Sequence, residues 1–202
     1  YNFQLMRYIG EDGVAAFSVI GYTAMIFAAI FMGYALGSSP LMSYQYGAQN
    51  HREMRSILLK SLGFIAIGSV FMFLAAEWLA EPLSAIFVGY DPALLEFTAG
   101  AYRIYAVAFL IMGVPIYASA LFTSLNNGVV SAIIAFLRTI VFECGAVIIL
   151  PLIWGIDGIW VSVSVGEFAA AVLSIVFLVA LRNKYGYTKK AVIADALNGG
   201  ND

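Results

Sequence analysis

Five predominantly apolar stretches dominate the chain, at about 14–36, 57–76, 97–125, 129–154 and 159–181. A helix rising about 1.5 Å per residue needs about 20 such residues to cross the ~30 Å hydrocarbon core of a bilayer. Backbone in hydrocarbon must satisfy its own hydrogen bonds, so runs of this length read as helices. Composition removes the alternative of a buried soluble core. Only 11% of residues are charged and 62% are hydrophobic, against roughly 25% charged in an ordinary soluble domain. The expected class is an all-α integral membrane protein of about five transmembrane helices. Residues 1–182 then form one helical unit, and 183–202 a polar tail.

Basic residues orient the unit. Arg52, Arg55, Lys60, Arg138, Arg182, Lys184, Lys189 and Lys190 fall at one end. The other end keeps Arg7 and Arg103 against Glu77, Glu81, Asp91, Glu96 and Asp157. The positive-inside rule therefore places the loop 43–56 and the C-terminus in the cytoplasm. Five crossings ending inside must begin outside, which predicts a further helix upstream of Tyr1. Residues 1–12 are too polar to span and read as a loop or a helix end. Residues 77–96 carry Trp78, Leu79, Leu83, Ile86 and Phe87 among charges, a pattern expected of a short amphipathic piece in the outer interface. Tight turns at Asn126–Gly128 and Gly155–Gly158 make the last three helices antiparallel neighbours.

Several functions are set aside by what the chain contains. The net charge of −2 comes without a basic face for phosphates, so nucleic acid is not an expected partner. Cys144 is alone, which excludes an internal disulfide. One His in a loop, no zinc spacing, no nucleophile elbow and no phosphate-cradling loop leave no enzyme, metal site or organic cofactor to expect.

Charges at membrane depth are costly and usually face a cavity or a partner. Glu143 lies twelve residues before Gly155 and Glu167 twelve after it. Antiparallel helices joined there put both carboxylates roughly 12–18 Å below the outer surface. Carboxyl groups that close would titrate as a coupled pair, which suits a proton-coupled machine. The alternative is that each is a structural hydrogen-bonding group. Arg138 is offset from Glu143 by about 140° on an α-helix, so the two are expected to be poor partners. It is expected to bind Asn126 or Asn127, or to snorkel. Tyr102, Tyr105, Phe109, Met112 and Tyr117 form an aromatic stripe that could line an adaptable cavity or simply pack. Gly113-Val114-Pro115 predicts a kink.

The stretch SSPLMSYQYGAQNHREMRSIL, 38–58, breaks two membrane-length helices. Pro40 is expected to end or kink the first, with Tyr44 and Gly47 completing a joint at an inner gate. Its Pro40, Tyr44, Tyr46, Gly47 and Ala48 resemble the cytoplasmic break of the multidrug and toxic compound extrusion (MATE) transporters. PLIWGIDGIWVSVSVGE, 151–167, resembles the hairpin between that family's last two helices, and AYRIYAVAFLIMGVP, 101–115, its antepenultimate helix. The resemblance implies most of the C-terminal six-helix lobe of a secondary-active exporter in a bacterial cell membrane. It implies alternating-access export of amphipathic, often cationic organic compounds, coupled to H+ or Na+. The expected partners are membrane lipids, a small organic substrate, and the N-terminal lobe or a second copy of this chain. Small residues on the first helix, Ala15, Ala16, Ala24, Ala28 and Ala29, would allow close helix contact with that partner. Glu167, Glu143, Tyr102, Tyr105, Phe109 and Met112 become candidates for substrate or ion coupling. Pro40, Tyr44, Gly47, Gly113, Pro115 and Arg138 become candidates for gating. A lipid or polysaccharide flippase, or a non-transporting membrane scaffold, is the alternative.

Overall fold

Two helices far longer than a bilayer is thick, α2 (Glu11–Gly47) and α3 (His51–Val88), form the frame of the computed structural model, which describes residues 1–189 and 191–193. Lys190 and the end of the tail lie outside the described residues. At 37 and 38 residues, these helices are about 55 Å long. A short α1 (Asn2–Tyr8) precedes them, so the polar start of the chain is helical. The third crossing is α4 (Pro92–Ala106), a 3₁₀ turn at Val107–Leu110 and α5 (Gly113–Ser124). The fourth and fifth come from α6 (Gly128–Phe136), a π segment at Leu137–Glu143 and α7 (Cys144–Ala180). The described residues contain helices and turns alone, as expected of the all-α class.

Within α7, Gly155 takes φ +58°, ψ −133° and interrupts the helix. The chain turns back there: a Cβ on Gly158 would collide with the Leu150 carbonyl, and one on Gly166 would lie 3.1 Å from Glu143 Cα. Glycine at 158 and 166 is what lets the two arms lie against each other. The other tight turn is also present, with Asn126 at φ +56° and the Asn127 side chain capping Val130 N–H at 3.3 Å.

Three expectations about the long helices change. Pro40 does not end the first helix; α2 continues to Gly47. Pro40 is exposed, and the buried stripe passes it from Phe31 and Ala35 to Met42. Residues 77–88 are not a separate interfacial piece. Met72, Ala76, Ala80, Ser84 and Val88 continue one buried stripe at helical spacing, so packing carries α3 through the exposed Pro82. The kink of the third crossing lies upstream of its proline. Pro115 cannot donate to the carbonyl four residues earlier, and the ladder breaks over Val107–Met112 before α5 begins. Gly113 sits where three helices meet, since a Cβ there would come within 2.8 Å of Ile65 and 2.9 Å of Phe31.

One core joins α1 to α7. Trp160, Tyr102, Phe31, Phe109, Phe122, Ile65 and Ile134 are fully buried in it. Met25, Ile67, Phe71, Val129 and Leu152 are exposed on the outside of the bundle, where lipid or a further helical unit would cover them. The small-residue seam divides: Ala16 and Ala24 are buried in the bundle's own interior, and Ala29 is exposed. The lobe therefore spends two of the five alanines on itself.

Candidate functional site: an arginine between two glutamates

The π segment is what assembles the site. Its hydrogen bonds run i→i+5 in place of i→i+4, so residues five apart come onto one face. Arg138 and Glu143, poor partners on an α-helix, are brought to 3.9 Å (Nε to Oε1). The returning arm of α7 supplies Glu167. Arg138 Nε donates to its two carboxylate oxygens at 3.1 and 3.0 Å, and Nη2 donates to Oε1 as well. Arg138 thus neither reaches Asn126 or Asn127 nor snorkels to the surface.

The two carboxylates differ in setting. The Glu167 side chain is 3% exposed, whereas Glu143 is 25% and Arg138 22% exposed. Glu167 is held as the buried end of a two-point ion pair. Glu143 is the open member, close enough to feel Arg138 but without a direct hydrogen bond. The formal charge of the three groups is −1 when both carboxylates are ionised. One positive charge can satisfy one carboxylate, which leaves Glu143 able to exchange a proton or accept a cation.

Around this cluster, α1 packs against the hairpin. Tyr1 Oη and Ser162 Oγ are 3.1 Å apart, Gln4 Nε2 donates to the Val147 carbonyl at 3.2 Å, and Leu5 is fully buried. Tyr1 also stacks on Phe17 with ring centroids 5.0 Å apart. These contacts join the start of the chain to the glutamate-bearing arms, a role that the polar N-terminal sequence did not signal.

Arg138 also forms part of the wall of a groove of about 240 Å³ between α2, α5 and α6. Met32, Leu36, Pro115 and Ile116 give it apolar sides. Ser119, Thr123 and Ser131 form a hydroxyl cluster at its edge, with Ser119 Oγ to Ser131 Oγ at 2.9 Å and Thr123 Oγ1 donating to Ser131 Oγ at 2.8 Å. The groove was not legible as an aromatic stripe, because the stripe is elsewhere. Tyr102, Tyr105, Phe109, Met112 and Tyr117 are all buried within the bundle. Phe109 packs edge-on against Phe27 at 4.8 Å and against Tyr105 at 5.6 Å. They pack in the core and do not line the groove.

The gating candidates are dispersed. Tyr44 and Gly47 are exposed at the end of α2. The contacts at that end come from other residues. Tyr46 meets Tyr185 edge-on at 5.8 Å, Asn127 Nδ2 donates to Tyr185 Oη at 2.8 Å, and His51 lies directly against Gly186. Gly186 is at φ +70°, and a Cβ there would collide with the imidazole. The segment after α7 therefore straps together the ends of α2, α3 and α6.

Comparison with known proteins follows the same outline. The sequence profile of the MatE family matches residues 2–148. An outward-facing multidrug resistance MATE family transporter of the MOP superfamily superimposes with a TM-score of 0.85 at 19% identity, covering 93% of this chain and 42% of that one. The Vibrio cholerae MATE transporter VcmN in its bent form gives a TM-score of 0.82 at 17% identity, with 93% and 43% covered. A MOP superfamily transporter from Pyrococcus furiosus, whose reversed pocket polarity suggests a different function, gives 0.84 at 20% identity, with 93% and 42% covered. The chain thus spans about two-fifths of the length of these structures, whose identities establish the fold alone. Comparison with curated proteins yields no match.

Proposed function

Because the chain belongs to the MatE family, we propose that it is one lobe of a cation-coupled exporter, working by alternating access against a second lobe. The substrates would be amphipathic organic compounds held in the groove beside Arg138, and the coupling ion H+ or Na+. One observation carries this reading: Arg138 neutralises Glu167 and leaves Glu143, equally deep in the membrane and partly exposed, without a fixed partner. A carboxylate at that depth has value if it binds and releases a cation in step with a conformational change. Glu143 is then the exchanging group. Glu167 is the fixed counter-ion that keeps Arg138 in place.

The test is transport by the complete protein in vesicles, driven in turn by an imposed proton gradient and an imposed sodium gradient. Export that follows one gradient and collapses when it is dissipated supports the reading. Export indifferent to both rejects coupling. A second reading, a flippase for lipids or polysaccharides, is favoured by the cationic Arg138 on the groove wall. A cationic dye and an anionic amphiphile compared in the same vesicles separate the two.

A further inference from the structure

Away from the glutamate cluster, the basic end of the bundle carries a second cavity, of about 480 Å³, between α3, the end of α7 and the segment that follows it. Its character changes along its length. Leu58, Leu62, Leu178 and Val179 form the part nearer the bilayer centre, and Arg182 and Lys189 the part beyond the last turn of α7. Leu58 and Leu178 are buried, whereas Arg182 and Lys189 are exposed. Among the described residues neither cation has a carboxylate partner. The shape is fixed from behind: Tyr187 Oη donates to the Leu178 carbonyl at 2.7 Å, and Gly186 rests on His51.

We propose that this cavity binds an anionic phospholipid of the leaflet at the basic end, its phosphate between Arg182 and Lys189 and the upper part of one acyl chain against Leu62 and Val179. Three properties of the cavity select that ligand. Its two charges are positive, and lie just beyond the end of a membrane-spanning helix, at the level where headgroups sit. Its apolar wall continues toward the hydrocarbon, so ligand and cavity are amphipathic in the same sense. Its walls belong to α3, the last turn of α7 and the strap that follows, so an occupied cavity bridges α3 to a segment it otherwise meets through Gly186 and His51. The site shares no lining residue with the Arg138 groove and does not depend on what that groove carries.

Native mass spectrometry of the full protein in mild detergent tests this with phosphatidylglycerol and phosphatidylcholine of matched chains. One phosphatidylglycerol should be retained in preference to phosphatidylcholine. Each juxtamembrane cation contributes about fivefold to attraction toward an anionic headgroup, so Arg182→Gln with Lys189→Gln should weaken retention on the order of 30-fold. Val179→Trp, which fills the apolar wall and leaves both charges, should weaken it as well. Arg52→Gln with Arg55→Gln, equally basic but outside the cavity, should leave it unchanged. Equal loss in that control pair would mean general surface charge and overturn the site. Competition by glycerol phosphate as effective as by the lipid would make it a free-phosphate site and overturn the acyl contact. Val179, Arg182, Lys189 and Arg52 are exposed and Arg55 is half-buried, and circular dichroism checks that helix content is retained.

Discussion

Arg138 and Glu167 grip each other across the hairpin through two hydrogen bonds from Nε and one from Nη2. Removing one member of such a pair strands the other in low dielectric, at a cost of about 3–5 kcal/mol. Glu167→Gln and Arg138→Gln should therefore each destabilise the folded protein by that order. The double substitution Arg138→Met, Glu167→Gln should restore a large part. Unfolding in bicelles measures all three, and additive losses in the double variant would show that the pair is not coupled. Arg138→Lys should recover little, because an ammonium cannot reproduce the planar two-point bond.

Glu143→Gln should behave differently. Glu143 is the open member of the cluster and has no direct hydrogen bond to lose, so stability should change by less than about 1 kcal/mol. Gradient-driven export by the complete protein should fall to the rate seen without a gradient, while exchange of substrate between vesicle and medium persists. Full coupling in this variant would remove Glu143 from the mechanism.

The contrast between these two glutamates shows what the sequence could and could not convey. Their common depth was legible, because twelve residues on each side of Gly155 is a statement about length along two antiparallel helices. Their partner was not. The 140° offset between Arg138 and Glu143 assumes an α-helix, and the π segment over Leu137–Glu143 changes that register without an obvious residue to mark it. The ends of α2 and α3 were missed for a related reason. Hydropathy registers the Ser, Tyr and Gln residues around Pro40 and the charges around Pro82, but not the buried stripe that continues past both prolines on the opposite side. The aromatic stripe of the third crossing was visible, yet periodicity alone cannot distinguish a core from a cavity wall.

Glycine packing offers a test of the fold itself. Gly113→Ala places a methyl within 2.8 Å of Ile65 and 2.9 Å of Phe31, and overpacking of this kind costs about 1–3 kcal/mol. Gly21→Ala, in α2 with nothing within 4 Å of the new Cβ, should be neutral or stabilising by up to about 1 kcal/mol. Thermal stability in detergent distinguishes them. Equal behaviour would mean that α2, α3 and α5 do not converge at Gly113.

Sidedness rests on the segregation of Lys and Arg. Asn50 and Asp91 are exposed at opposite ends of α3. In a Cys144→Ser background, which removes the exposed native thiol, a cysteine at Asn50 should be protected from impermeant thiol reagents in intact cells. A cysteine at Asp91 should be labelled. The reverse pattern would invert the topology, and would also put the proposed lipid cavity in the outer leaflet.

The last prediction concerns the partner. Arg138 and Glu143 keep about a quarter of their side-chain surface open (22% and 25%), deep in a membrane-spanning hairpin. Ionised groups at that depth require protein or water beside them, because lipid cannot solvate them. The groove beside them is rimmed by Met32 and Leu36, which are 52% and 67% exposed. A second lobe packed over this rim would shield the charges and close the groove into a cavity, as expected of a chain spanning 42% of the transporter it superimposes on. Cysteines at Met32 or Leu36, again in the Cys144→Ser background, should crosslink to the N-terminal lobe of the complete transporter. A cysteine at Ile67, 75% exposed on α3, should not. The 21.8 kDa chain reconstituted alone should move no substrate, and transport by that lone species in vesicles would sink the two-lobe arrangement.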